Sequence, residues 1–337
     1  MRRIFLSLLL GSALFPSILR AQVNSSYLVG TWADFKTCAI TYTFDDGCAN
    51  QFTKAIPIFD QFGYKLTLFT VTDWVKNWED IQTAAKNGHE VASHTVTHPS
   101  FKKISFEQQK TEVETSVDVI NSKIRLPLCM TMATPYCDQG SDELSAKYFV
   151  AVRGCAGFIE SKTPKNIMNV SSIICGTQGP VKKVADYKAK ADEAAEKNGW
   201  LVYLLHGIDN DGGYSPVPSD TLKASLEYLK ANDPKFWVST FGNQAKYMRE
   251  RDCVSVKENS VSKKSISISV GDTLKNNQWY DYPLSFRRPL PTGWKSATAK
   301  QNGKSVNATI VEVNSAKYIQ FNAVPDRGKV VLKKSKL

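Results

Sequence analysis

The chain has 337 residues, a formal net charge of +11 and seven cysteines. That length exceeds a typical single domain and points to two. No Cys-x-x-Cys pair is present, which excludes a zinc-ribbon type of site. The lysines are scattered, so the basic excess reads as solvated surface rather than as a nucleic-acid footprint, and no nucleic-acid partner is expected.

Arg2 and Arg3 precede an apolar run from Ile4 to Leu10, and Leu19-Arg20-Ala21 places a small residue before Gln22. This predicts a secretory signal peptide over residues 1–21, and hence a secreted or periplasmic protein. Gly11, Ser12 and Pro16 break the apolar run, which is too short for a span of about 20 residues. No transmembrane segment is therefore expected after cleavage. An exported chain permits disulfides, but seven cysteines leave at least one unpaired or paired between chains, and the pairing is not readable from spacing. Cys129 and Cys175 lie in apolar strand-like runs, where a free cysteine behaves as a small core residue.

From residue 22 to 253, short apolar runs alternate with amphipathic helical stretches, the pattern of a βα barrel or layered α/β fold. Strands are predicted at Ala39 to Phe44, Leu66 to Val71, His89 to Ser93 and Leu128 to Thr134. Four more are predicted at Phe149 to Val152, Ser172 to Cys175, Trp200 to Leu205 and Phe236 to Ser239. Ser105 caps a helix running to Ile124, and Ser219 a later one through Leu222, Leu226 and Leu229. Eight such units predict an α/β fold, a distorted (β/α) barrel. Residues 254–337 alternate instead, as in Ser265-Ile266-Ser267-Ile268-Ser269-Val270, and predict a small all-β sandwich. It would bind carbohydrate, attach to a surface, or simply cover one face of the barrel.

The chain has four histidines, and three of them, His94, His98 and His206, follow predicted strands. In His94-Thr95-Val96-Thr97-His98 the two imidazoles are four residues apart. One helical turn after the strand would aim both at one point, as a metal requires. Thr43-Phe44-Asp45-Asp46-Gly47 delivers two adjacent carboxylates at a strand end, where a nearby cation would favour them and glycine permits a sharp turn. Each segment alone also fits an ordinary turn or a histidine closing a core strand.

Together these segments resemble the polysaccharide deacetylases of carbohydrate esterase family four, which share the NodB homology domain. The likeness covers residues 35 to 250. It implies Asp45 as general base and His206, at the end of Trp200-Leu201-Val202-Tyr203-Leu204-Leu205-His206, as general acid. It implies Asp46, His94 and His98 as ligands of a divalent metal, zinc by the ligand set, with cobalt, nickel or manganese as alternatives. His89 is assigned no chemistry. The family's third motif, Arg-x-Pro-aromatic-Gly, appears as Ala133-Thr134-Pro135-Tyr136-Cys137, without its arginine. Pro135 and Tyr136 would line the pocket, the Tyr136 amide would serve the oxyanion, and Arg153 would supply the missing charge from another strand. The fourth motif, an aspartate with an aromatic, has no identifiable counterpart between Arg153 and Gly199.

The resemblance implies a hydrolase acting on an acetylated carbohydrate, most simply by N-deacetylation of an amino sugar. The alternatives are an O-acetyl esterase of the xylan type, or an inactive domain that binds glycan without cleaving it. The 207–218 loop offers Asp209, Asp211 and Tyr214 to a sugar, or is a plain solvent loop.

Overall fold

The computed structural model describes residues 27–276 and 278–335; the segment read as a signal peptide lies outside them. After β1 (Leu28–Val29) come β2 (Cys38–Asp45), α1 (Ile56–Phe62), β3 (Thr67–Thr70), α2 (Trp78–Lys86), β4 (Glu90–Ser93) and α3 (Phe106–Lys123). They are followed by β5 (Thr131–Ala133), α4 (Asp142–Tyr148), β6 (Ala151–Arg153), β7 (Ile173–Ile174), α5 (Val184–Glu196) and β8 (Trp200–Leu205). The series closes with α6 (Ser219–Ala231), β9 (Phe236–Val238) and α7 (Phe241–Cys253). From β2 onward these strands pair in parallel in the order β6-β5-β4-β3-β2-β8-β7, with β9 also on β2. All eight strands expected from the apolar runs are present, and the sheet curls into the distorted barrel. Between β6 and β7 the gap is bridged by Val170, whose N–H donates to Val152 O at 2.8 Å and whose carbonyl accepts from Gly154 N at 2.7 Å.

The central strand explains the architecture. Every residue of β2 is buried, so Cys-Ala-Ile-Thr-Tyr-Thr-Phe is covered on both faces, as parallel strands under helices must be. Because all the strands run one way, their C-terminal ends gather on one face, where barrel enzymes carry their sites. Ser105 caps α3 with a reciprocal capping box to Gln108. At α6 the expectation needs correcting: Pro218 is the N-cap and Ser219 the first helical residue. The Ser219 N–H donates instead to Asp209 Oδ1 at 2.8 Å, so a loop carboxylate does the capping. His89, fully buried, fastens loops: Leu66 N–H donates to its Nδ1 at 3.2 Å and its Nε2 meets Asp60 Oδ1 at 3.2 Å.

Beyond α7 the strands are antiparallel: β10 (Ser255–Val261), β11 (Ser265–Gly271), β12 (Leu284–Pro289), β13 (Ala297–Gln301), β14 (Lys304–Val306), β15 (Ala308–Val313), β16 (Ala316–Ala323) and β17 (Val330–Lys334). They form two sheets, β10-β11-β17-β13-β14 and β1-β12-β16-β15. Ile266, Ile268 and Val270 point inward and the serines between them do not, the period-two pattern of a sheet with one covered face. The β1 strand, which precedes the barrel in sequence, joins the second sheet by pairing with β12. The two parts share one apolar core, in which Trp237 and Tyr247 of the barrel pack on Tyr282 at ring distances of 5.5 and 6.3 Å.

Glu250 of α7 lies in this junction with no exposed surface, and neither carboxylate oxygen has a hydrogen-bond partner among the described residues. Burial first, then the charges of Asp272 and Asp281, push its carboxyl from 4.5 up to about 9, against the opposing charges of Lys246 and Arg327. Between those values the folded protein holds a proton that the unfolded chain has released, so Glu250 makes stability fall as pH rises from 4.5 towards 9. Glu250→Gln is expected to stabilise the fold at pH 8 by at least about 1 kcal/mol and to give no gain near pH 4, as thermal unfolding at the two pH values will show.

Candidate active site

Asp45 is the last residue of β2 and is almost fully buried; Asp46 and Gly47 follow with φ of +74° and +73°. This left-handed pair turns the chain sharply, so that both carboxylates face the same cavity of about 470 Å³. His94 leaves β4, and its Nδ1 contacts the Ala133 carbonyl at 2.8 Å. That contact fixes the tautomer with the proton on Nδ1 and turns Nε2 toward the cavity. His98 Nε2 lies 3.2 Å from His94 Nε2, and Asp46 Oδ1 lies 3.7 and 3.8 Å from the two imidazoles. One ligand atom from each of the three residues fits within 4.8 Å of the others.

The backbone between the histidines is not the helical turn that the spacing suggests. Residues 94–98 form an irregular loop, with Thr95 at φ +70° and His98 at φ +62°. Its amides are claimed by side chains rather than by helix carbonyls. Ser93 Oγ accepts from Thr95 N–H at 3.1 Å, and Glu112 Oε2 accepts from Val96 and Thr97 N–H at 2.8 and 2.9 Å. Glu112 Oε1 also takes the Thr97 hydroxyl at 2.6 Å. Glu112, from α3, has no sequence signal that ties it to the site, because only the fold brings it to this loop. Glu112→Ala is expected to weaken metal affinity by about 10-fold with little change in fold, measurable by competition with a chelator.

Asp45 is flanked by Arg153, at the end of β6, whose Nη2 donates to Asp45 Oδ2. The guanidinium is 1% exposed and sits 5.4 Å from the Phe69 ring centre. Burial alone would raise the Asp45 carboxyl, but Arg153, His94 and His206 outweigh it and hold it below the usual carboxylate range. Asp46 is pushed up to about 7 by burial and by its neighbour Asp45, with Arg153 opposing. His94 is held near 4, chiefly by burial, and His98 is also lowered, so both imidazoles are neutral at pH 7.

His206 follows β8 and faces Asp45 across the cavity, Nε2 to Oδ2 at 3.8 Å, with the Tyr214 ring 5.0 Å away. Its Nδ1 has no hydrogen-bond partner among the described residues, so no aspartate plays the part that the fourth motif would supply. Ile174 and Leu204 give the cavity its apolar lining instead. Tyr136 is two-thirds exposed at the rim, its ring 4.6 Å from His98. Pro135, expected in the pocket, does not line it: it is buried and opens the short turn that presents Tyr136. Trp74, which the sequence did not single out, has its ring 5.0 Å from that of His98. Of the 207–218 loop, Tyr214 lines the cavity. Asp209 binds Lys54 and Ser219, and Asp211 accepts from Ile208 and Gly213 N–H at 3.2 and 3.1 Å, so both mainly shape the loop.

The donor set fits a divalent cation. It offers two neutral imidazoles and one carboxylate, and Asp46 Oδ1 is buried without a hydrogen-bond donor among the described residues. A curled parallel sheet carries this cluster at its C-terminal ends. Residues 33–147 match the model of the polysaccharide deacetylase family. A gellan lyase of a Bacillus species is 26% identical over 330 residues, covering 92% of this chain but 13% of that protein. A chitooligosaccharide deacetylase of a Bradyrhizobium strain is 32% identical over 103 residues, covering 30% of this chain and 47% of its own length. The chain thus spans less than half the length of either relative. Among solved structures, a Mycobacterium smegmatis protein described as a polysaccharide deacetylase superposes with a TM-score of 0.50 at 16% identity, over 68% of this chain and 93% of that one. That likeness concerns the fold.

Proposed function

We propose that the protein is a metal-dependent carbohydrate deacetylase that removes N-acetyl groups from an amino-sugar oligomer or polymer outside the cytoplasm. The observation that carries this reading is the convergence of Asp46, His94 and His98 beside a buried Asp45 held ionised by Arg153. A divalent metal, zinc by the ligand types, with cobalt, nickel or manganese as alternatives, would supply Lewis acidity toward the acetyl carbonyl and toward water. Asp45 takes the proton of the attacking water. The Tyr136 main-chain N–H, in the turn beside His98, serves the developing oxyanion. His206, on the opposite side, returns a proton to the leaving nitrogen. Burial lowers the His206 imidazole and the charge of Asp45 works against that loss, so the base also supports the acid.

Export is supported by the signal-peptide pattern at the N-terminus and by the disulfide between Cys137 and Cys155, which needs an oxidising compartment to persist. Among the described residues no helix is long and apolar enough to cross a membrane. The N-acetyl assignment draws on the chitooligosaccharide deacetylase relative. O-acetyl cleavage is the second reading, favoured by the longer alignment to a protein named for gellan rather than for an amino sugar. Acetate release from N-acetylated oligosaccharides and from O-acetylated xylan separates the two. Release from the first alone supports N-deacetylation, and release from xylan alone replaces it.

A further inference from the structure

The turn that presents Tyr136 is held in a conformation that L-residues rarely adopt. Tyr136 and Cys137 are successive left-handed residues, at φ +54° and +60°. Such a pair persists only where its surroundings over-determine it. Two local hydrogen bonds contribute, Cys137 N–H to Thr134 O at 3.2 Å and Asp138 N–H to Pro135 O at 3.0 Å. Asp138 is anchored in turn by Lys102 Nζ at 2.8 Å and by the Ser100 hydroxyl.

The remaining constraint comes from β6. Thr134 N–H donates to Arg153 O at 3.1 Å, just before Tyr136 in sequence. Cys137, just after it, is joined by a disulfide to Cys155, with the two Cα atoms 5.6 Å apart. Tyr136 therefore sits inside a closed circuit, 134 to 153 to 155 to 137, stitched twice to the same strand end. That strand end also carries the guanidinium on Asp45. Both departures of this chain from the third motif, alanine for arginine and cysteine for glycine, meet their counterpart within the three residues Arg153-Gly154-Cys155.

We infer that the Cys137–Cys155 disulfide is a positioning element of the site. It fixes the Tyr136 main chain relative to Asp45 and Arg153, and the disulfide-bonded form is the competent one. This rests on the deacetylase reading in so far as Tyr136 serves the oxyanion. A purely stabilising cross-link, closing a loop with a sequence separation of 18, would change thermal stability and leave the turnover of folded protein alone.

The test uses the full chain in metal-replete buffer. Peptide mapping of the untreated protein is expected to recover the Cys137–Cys155 linkage. Treatment with a phosphine reductant, and separately Cys155→Ser, is expected to lower kcat for acetate release by about 10- to 100-fold, less than the roughly 10²- to 10³-fold cost of removing an oxyanion donor outright because the donor is loosened and not lost, with KM and bound metal within about twofold. Amide hydrogen exchange over residues 134–138 is expected to speed up in both. Unchanged kcat in folded, reduced protein would overturn the inference, and so would a fall in kcat matched by an equal loss of metal. Should the untreated protein release no acetate from any substrate, the functional reading fails by itself. The exchange measurement then decides alone, and unaltered exchange over 134–138 on reduction would overturn the positioning role.

Discussion

Asp45→Asn is expected to lower kcat for acetate release by about 10³-fold or more while metal content stays near that of the unaltered protein. The amide keeps the size of the side chain but cannot accept the proton of the attacking water. It also removes the negative charge that supports His206. The candidate metal donors are separate atoms: Asp46 Oδ1 and the two Nε2 atoms lie together, and Asp45 Oδ2 approaches His94 Nε2 only to 3.7 Å. Metal analysis together with single-turnover acetate release will separate the two effects. Retained turnover would remove Asp45 as base, and parallel loss of metal would make it a ligand.

Arg153→Leu is expected to be the most damaging change to stability and activity together. Arg153 and Asp45 are both almost fully buried and paired. Removing one partner leaves the other charge uncompensated in a poorly solvated place, a loss of about 3–5 kcal/mol in denaturant unfolding. Turnover is expected to fall in the fraction that remains folded, because Asp45 loses the group that orients it. Arg153→Lys, which keeps the charge but not the forked donors, is expected to recover much of the stability and only part of the kcat. Equal stability of Arg153→Leu and the unaltered protein would show that the pair contributes nothing to the fold.

Much of the barrel was legible because parallel strands covered on both faces must be written as continuous apolar runs, as in Cys38–Asp45 and Trp200–Leu205. The alternating Ser-Ile-Ser-Ile of β11 was legible for the complementary reason, one covered face. Pairing over long separations was not: β1 gives no hint that its partner is β12, more than 250 residues on. Local chemistry also misled where side chains replace backbone partners. The spacing of His94 and His98 suits a helical turn, yet Glu112 takes the amides that such a turn would use. Ser219 has the composition of a cap, yet Asp209 reaches its amide first.

In the site, the two aspartates and three histidines stood out because histidine is scarce in this chain and three of the four, His94, His98 and His206, follow predicted strands. The structure brings all five to one cavity, together with Tyr136 and Arg153. The pairing of Cys137 with Cys155 was unreadable among seven cysteines, since spacing carries no information about which loops meet. The remaining five, Cys38, Cys48, Cys129, Cys175 and Cys253, are unpaired. Cys129 and Cys175 are buried among apolar neighbours, as their sequence context predicted.

The most direct test of metal-dependent deacetylation is acetate release by the mature protein from N-acetylated oligosaccharides, measured after complete chelation and again after addition of about one equivalent of zinc or cobalt. Metal-dependent deacetylation predicts loss of release on chelation and its return with the metal in the unaltered protein, but no return in His94→Ala. Full release by metal-free protein, or none by metal-loaded protein on either acetylated class, would contradict it.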